Sequence, residues 1–169
     1  MWSFGNSLSR HTRRAVKLFR LKRLINPVQV SGEFVENSLR AFSLYHQTNY
    51  TSDLNAMGLQ IKRHHLDSKF WTCSESHFQR IVAFNTINLR RYKADRYDCD
   101  NFAFSFKAEV AMDFGLNNVG IVVDHTGGHA YNIVVFSNGS VKLFEPQNDS
   151  WVEPASSKPY TFKAGIILL

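Results

Sequence analysis

The spacing of apolar positions changes about half-way along the chain. Phe34, Val35, Leu39, Phe42 and Tyr45 recur near helical spacing, as do Phe78, Ile81, Val82, Phe84 and Leu89, which predicts helices over residues 33–46 and to about residue 91. The second is preceded by Thr72-Cys73-Ser74-Glu75, which fits a capping box. A third helix is predicted over residues 99–114: Phe102, Ala103, Phe106 and Val110 form its apolar stripe, Asp98 is placed to cap its start, and Gly115 marks its end. Beyond Gly115 the pattern becomes strand-like. Residues 119–124 are β-branched, His125-Thr126-Gly127-Gly128 is turn chemistry, and residues 129–136 form a second strand. Asn138-Gly139 then marks a hairpin to residues 140–145, and residues 151–152 and 162–168 can add strands.

Elsewhere the signals are weaker. Residues 28–31 read as a short extended piece after Pro27, residues 53–57 as a short helix ending at Gly58, and Lys62-Arg63-His64-His65 as a solvated polar turn. The fold class expected is α+β: a helical N-terminal half, then a Cys-bearing helix packed on a C-terminal antiparallel sheet. No repeat or long linker divides the chain, so residues 1–169 read as one domain. Within it, residues 1–25 are a basic amphipathic helix or arm, 26–91 a helical part, and 92–169 the Cys helix plus antiparallel sheet.

Hydrophobic residues make up 44% of the chain and charged residues 20%, which excludes the composition of a disordered protein. No apolar run approaches the roughly 18 residues of a membrane span, and the N-terminus lacks the uninterrupted apolar core of a secretory signal. Two cysteines, Cys73 and Cys99, support neither a disulfide scaffold nor a thiolate zinc site. Unpaired thiols suggest a reducing compartment, such as a bacterial, host or phage-infected cytoplasm.

The net charge of +6 is uneven. Arg10, Arg13, Arg14, Lys17, Arg20, Lys22 and Arg23 give residues 1–25 a charge of +7 with no acidic residue, which leaves the rest of the chain at −1. Leu8, Ala15, Leu18 and Phe19 lie roughly on a face away from Arg10, Arg13, Lys17 and Arg20. The segment reads as a solvated face packed on the body, as a contact for an acidic partner, nucleic acid or anionic membrane, or as a cleaved targeting peptide. A near-neutral body argues against nucleic acid. Arg10, Arg13, Arg14, Lys17 and Arg20 are the candidate partner-binding residues.

Cys99 opens its helix, where unpaired amides and the helix dipole favour a thiolate. A thiol nucleophile also needs an imidazole base, itself oriented by a third group, and His129 opens a strand of the sheet beside that helix. If Ser137 pairs with Ser140 across Asn138-Gly139, His129 lies opposite Asn148; a slip of one shifts the partner to its neighbours. Glu145, Asn148 and Asp149 therefore all remain candidates. Cys73 reads as structural and His125 as a turn residue.

Three motifs in order, Tyr97-Asp98-Cys99-Asp100-Asn101-Phe102-Ala103, Gly128-His129-Ala130-Tyr131-Asn132 and Leu143-Phe144-Glu145-Pro146, resemble those of transglutaminase-like cysteine peptidases of the papain-like superfamily. Glu145-Pro146 is similar to the C-terminal peptidase domains of Marasmius oreades agglutinin-related proteins, microbial or phage members among them. The resemblance covers about residues 92–150. It implies a papain-like fold, Cys99 as nucleophile, His129 as base, Glu145 as orienting carboxylate, and a protein or peptide substrate. It also implies a cysteine-dependent hydrolase or acyl-transferase acting on peptide or side-chain amide bonds through a Cys99 thioester. The residues themselves require no cofactor. The resemblance adds calcium, for which Asp95, Asp98, Asp100 and Asn101 offer oxygens, although Asp98 as a cap and Asp100 beside the helix dipole is the competing reading. The competing function is a degenerate papain-like binding protein that engages a macromolecular partner through its basic helix.

Overall fold

The computed structural model describes residues 9–64 and 66–169; Leu8, His65 and the Arg10 side chain lie outside the described part. The chain runs α1 (Arg10–Leu24), β1 (Val28–Ser31), α2 (Gly32–Tyr45), β2 (Tyr50–Thr51), β3 (Ile61–His64), β4 (Lys69–Thr72) and α3 (Glu75–Phe84). It continues with α4 (Cys99–Phe114), β5 (Val119–Asp124), β6 (His129–Val135), β7 (Val141–Glu145), β8 (Ser150–Val152) and β9 (Gly165–Leu168).

Seven strands form one sheet in the order β2-β3-β9-β5-β6-β7-β8, and β1 and β4 pair as a separate ribbon. Both faces of the main sheet are covered, which is why β6 is a nearly unbroken apolar run. Tyr131, Ile133 and Val135 pack with Val35 and Leu39 of α2 and Phe70 of β4. The alternate Val134 joins Phe78 and Ile81 of α3 and Phe106 and Val110 of α4 on the other face. Burial of about 25 cal/mol per Å² of apolar surface makes these two clusters the main stabilising term.

A helical part followed by an antiparallel sheet, in the papain-like manner, is not what this chain builds. Four strands lie within residues 26–91, and β2 with β3 and β3 with β9 pair in parallel, so the sheet is mixed. The expected polar turn at Lys62-Arg63 is part of β3. Its inward Arg63 is only 4% exposed and faces Glu36 Oε2 at 3.4 Å, so a buried ion pair disguises a core position as a polar one. Residues 53–57 form turns instead of a helix, with Asp53 Oδ1 accepting from the Asn55 amide.

Two further expectations shift for local reasons. Thr72 does not cap α3, because its hydroxyl donates to Val135 O from inside the sheet; Ser74 is the cap, accepting from the His77 amide. That helix stops at Phe84 instead of near residue 91. Asn85 turns extended, with its Oδ1 accepting from the Ile87 amide and its Nδ2 donating to Glu109, and only a short 3₁₀ turn, Ile87–Leu89, follows.

The hairpin after β6 is one residue out of the expected register: Val135 pairs with Val141 and Asn132 with Phe144. The Ser137 amide donates to Cys73 O, so Ser137 cannot pair with Ser140, and the loop closes from Phe136 to Ser140 around Gly139 at φ +83°.

Candidate functional site

Helix α4 begins at Cys99 after an extended Asp98, whose amide donates to Asn101 Oδ1, and ends at Gly115 in the left-handed region. Two bonds fix its direction on the sheet. Asn132 Nδ2 donates to Ala103 O, and four residues further on Lys107 Nζ donates to Val119 O, a strand position paired with Val134. Helix and strand therefore run the same way, so Cys99, one turn before Ala103, and His129, three residues before Asn132, sit at the same end of the molecule.

At that end His129 Nε2 lies 2.7 Å from Glu145 Oε2. The carboxylate also accepts from the Tyr160 hydroxyl at 2.9 Å and, through Oε1, from the Gln147 amide at 3.0 Å. Glu145 is 2% exposed, so it is a buried acid whose three donors replace water. A carboxylate that only accepts assigns the proton to Nε2 and leaves Nδ1 as the basic nitrogen. The rings of Tyr160 and Tyr131 stand 5.5 and 5.9 Å from the imidazole and hold its plane. Burial, then the charge and hydrogen bond of Glu145, push the Tyr160 hydroxyl well above the ordinary phenol range, so it stays a donor.

The structure thus brings His129 and Glu145 into contact, and β7 does so because one step beyond the Asn132–Phe144 pair sets Glu145 level with Tyr131. It does not join Cys99 to them by a hydrogen bond among the described residues. Cys99 is half-buried, and the Tyr92 hydroxyl beside it is raised first by partial desolvation, then by the charges of Asp98 and Cys99. Cys73 is fully buried in an apolar cluster, and burial pushes its thiol up to about 12.

The alternative orienting residues lie in the β7–β8 turn without reaching His129. Asn148 Oδ1 accepts from the amide and hydroxyl of Ser150. Asp149 has a left-handed backbone, φ +55°, and burial raises its carboxyl to about 6. The proposed calcium donors fold onto one another: the Asp95 amide donates to Asp98 Oδ2 and the Asn101 amide to Asp100 Oδ1. A shared hydrogen bond lowers the Asp98 carboxyl and raises that of Asp100. Among the described residues no group of three or more His, Cys, Asp or Glu side chains could hold a metal ion.

Tyr160 is the contributor that sequence reasoning missed. It lies fifteen residues beyond Glu145 in a stretch without periodicity, and the bonds from the Thr161 hydroxyl and the Phe162 amide to Asp124 hold that stretch beside the site. Of the basic residues proposed for partners, Arg14 reaches Glu109 and Thr86 of the body and Lys17 the Phe84 ring, whereas Arg13 and Arg20 are exposed.

Among solved structures the chain is similar to one described as "PSL1a-E64 complex" and to Polyporus squamosus lectin bound to the human-type influenza-binding epitope Neu5Aca2-6Galb1-4GlcNAc. Each superposes with a TM-score of 0.59 at 21% identity over 83% of this chain. The chain spans about half the length of those structures, 51% and 49% respectively. A search among curated proteins finds no match.

A family model for the ricin-type beta-trefoil lectin C-terminal domain matches residues 58–169, well over half of the chain. These findings overturn the peptidase resemblance, and with it the papain-like fold class and the reading as a cysteine-dependent hydrolase or acyl-transferase with a peptide substrate. The motifs that suggested it occupy one short helix–strand–strand unit, and the family match rests on nearly twice that length. The chain belongs to the family of ricin-type beta-trefoil lectin C-terminal domains.

Proposed function

We propose that the chain serves carbohydrate recognition in a lectin-type protein, and that its own ligand site is the end of the fold that carries Cys99 and the His129–Glu145 pair. Membership of the lectin C-terminal domain family supports the first part, as does the glycan epitope to which the similar Polyporus squamosus lectin is bound; the other similar structure is a complex with E64. The observation that carries the location is the buried Glu145 carboxylate, which holds a partly open imidazole in one orientation through Nε2 and leaves Nδ1 to meet a ligand. In this reading His129 is the hydrogen-bonding group, Glu145 and Tyr160 position it, and Cys99 contributes a thiol at a helix start.

Two measurements on the intact chain test the reading. On a glycan array it should retain at least one sialylated or galactosylated structure, and His129→Ala should weaken that binding roughly tenfold, as expected for losing an oriented hydrogen bond. Iodoacetamide should label Cys99 in preference to the buried Cys73, with protection by the bound glycan. A chain that binds no glycan, or whose binding ignores His129, sinks the proposal.

A further inference from the structure

The structure leaves one feature of the sequence outside the ligand site. Helix α1 packs on the body through Leu18, Leu21 and the following Ile25, and through Arg14, which pairs with Glu109 and Thr86. Its opposite face carries Val16, Phe19 and Leu24, which are 41%, 55% and 54% exposed. At 100° per residue the same face presents Arg13, Arg20 and Arg23 among them, all exposed, while the Lys17 ammonium turns to the Phe84 ring of the body, 5.9 Å from its centroid. The Arg23 guanidinium lies 4.3 Å from the centroid of the Phe19 ring, so a cation and an aromatic are offered together. No acidic residue occurs in residues 1–25, and among the described residues the one carboxylate that pairs with α1, Glu109, engages Arg14. The outward charge is therefore not neutralised from within the helix.

From this face we infer that α1 docks in the plane of an anionic lipid surface. Apolar side chains ringed by Arg13, Arg20 and Arg23, on a helix that lies along the body, match the chemistry of a headgroup boundary: Phe19, Val16 and Leu24 enter the acyl edge while the cations meet the phosphates and carboxylates of the lipids. The helix lies on the surface and does not span it, because no helix among the described residues is long and apolar enough to cross a membrane. Nucleic acid would use the same cations but gains nothing from burying Val16 and Leu24. The inference is independent of the ligand site.

Sedimentation of the full chain with phosphatidylcholine vesicles, with and without phosphatidylserine, tests it. The chain should pellet with phosphatidylserine vesicles and not with phosphatidylcholine alone, and added salt should release it. The double variant Arg13→Gln/Arg20→Gln should lose about tenfold or more in partitioning. Val16→Ser/Phe19→Ser should weaken it severalfold while leaving the charge and the circular dichroism spectrum unchanged. Equal pelleting with both vesicle types, or full retention by the Val16→Ser/Phe19→Ser protein, overturns the inference. So does tighter binding to duplex DNA that this apolar variant preserves.

Discussion

Two buried carboxylates flank the start of β6, and their surroundings separate a structural acid from a functional one. Asp124, at the end of β5, is 1% exposed and accepts from the Gly127 and Phe162 amides and from the hydroxyls of Thr126, Thr161 and Tyr131. Glu145, at the end of β7, is equally buried but has three donors, one of them an ionisable imidazole that is itself partly open. Tyr131 and Tyr160 link the two, since each donates to one carboxylate and their rings pack 5.3 Å apart. Saturation by backbone amides and hydroxyls makes Asp124 a clamp that ties the loop after β5 to the Thr161–Phe162 segment. Incomplete saturation lets Glu145 orient a group that faces outward.

The strongest way to break this comparison is to remove the clamp. Asp124→Ala leaves several buried donors unpartnered and should cost about 3–5 kcal/mol in urea denaturation, enough to endanger folding. A cost near that of an average surface substitution would show that the network is dispensable. Gly127→Ala attacks the same loop sterically. A Cβ there falls 2.0 Å from Pro159 O and 2.7 Å from Asp124 Oδ2, and about 2–3 kcal/mol of stability should be lost.

Glu145→Gln sharpens the contrast from the other side. Its stability cost should be smaller, about 1–2 kcal/mol, because the amide oxygen can still accept from the Gln147 amide while its NH2 donates to the Tyr160 hydroxyl oxygen, and ligand binding that depends on His129 should fall. Equal losses in stability for the Asp124→Ala and Glu145→Gln proteins would erase the distinction.

Acid titration reads the two ends differently again. Burial raises the Asp124 carboxyl, but the amides of Phe162 and Gly127 and the Thr126 and Thr161 hydroxyls outweigh it and leave the group below its ordinary value. A depressed folded value stabilises above the unfolded pKa, so this contribution should be present above about pH 4 and lost as pH falls through the folded value. Asp124→Asn should flatten that acid limb. Asp149 has the opposite sign: raised to about 6 by burial, it favours the folded state below its unfolded value and loses that contribution as pH rises through about 6. Asp149→Asn should therefore raise stability slightly at pH 7, by less than about 1 kcal/mol given its solvent screening.

Legibility followed the range of the forces involved. Helix α4 could be read because its signals are local: an apolar stripe, an N-terminal Asp98 and a C-terminal Gly115 within one segment. Strands β5 to β7 could be read for the same reason, since β-branched runs and turn residues alternate. Strands β2 to β4 could not. They are two to four residues long, and their inward positions include Arg63 and Thr72, whose polarity is tolerated only because Glu36 and Val135 O stand opposite. The Glu145 partner of His129 was one of three candidates from hairpin arithmetic, and its selection needed a loop whose closure depends on Cys73, sixty-four residues before Ser137.

The family assignment failed on a related distinction. Three short motifs around Cys99, His129 and Glu145 define one supersecondary unit, and such a unit does not specify the fold around it. By itself the sequence determined where helices and strands with local signals form, that Cys73 is a core thiol, and that positive charge gathers in residues 1–25. Only the tertiary structure decided the mixed order of the sheet, the one-residue shift of the β6–β7 hairpin, the arrival of Tyr160 at Glu145 and the pairing of Arg14 with Glu109. Those outcomes rest on contacts between residues far apart in the chain, formed where burial removes water and each polar group must find its partner in the fold.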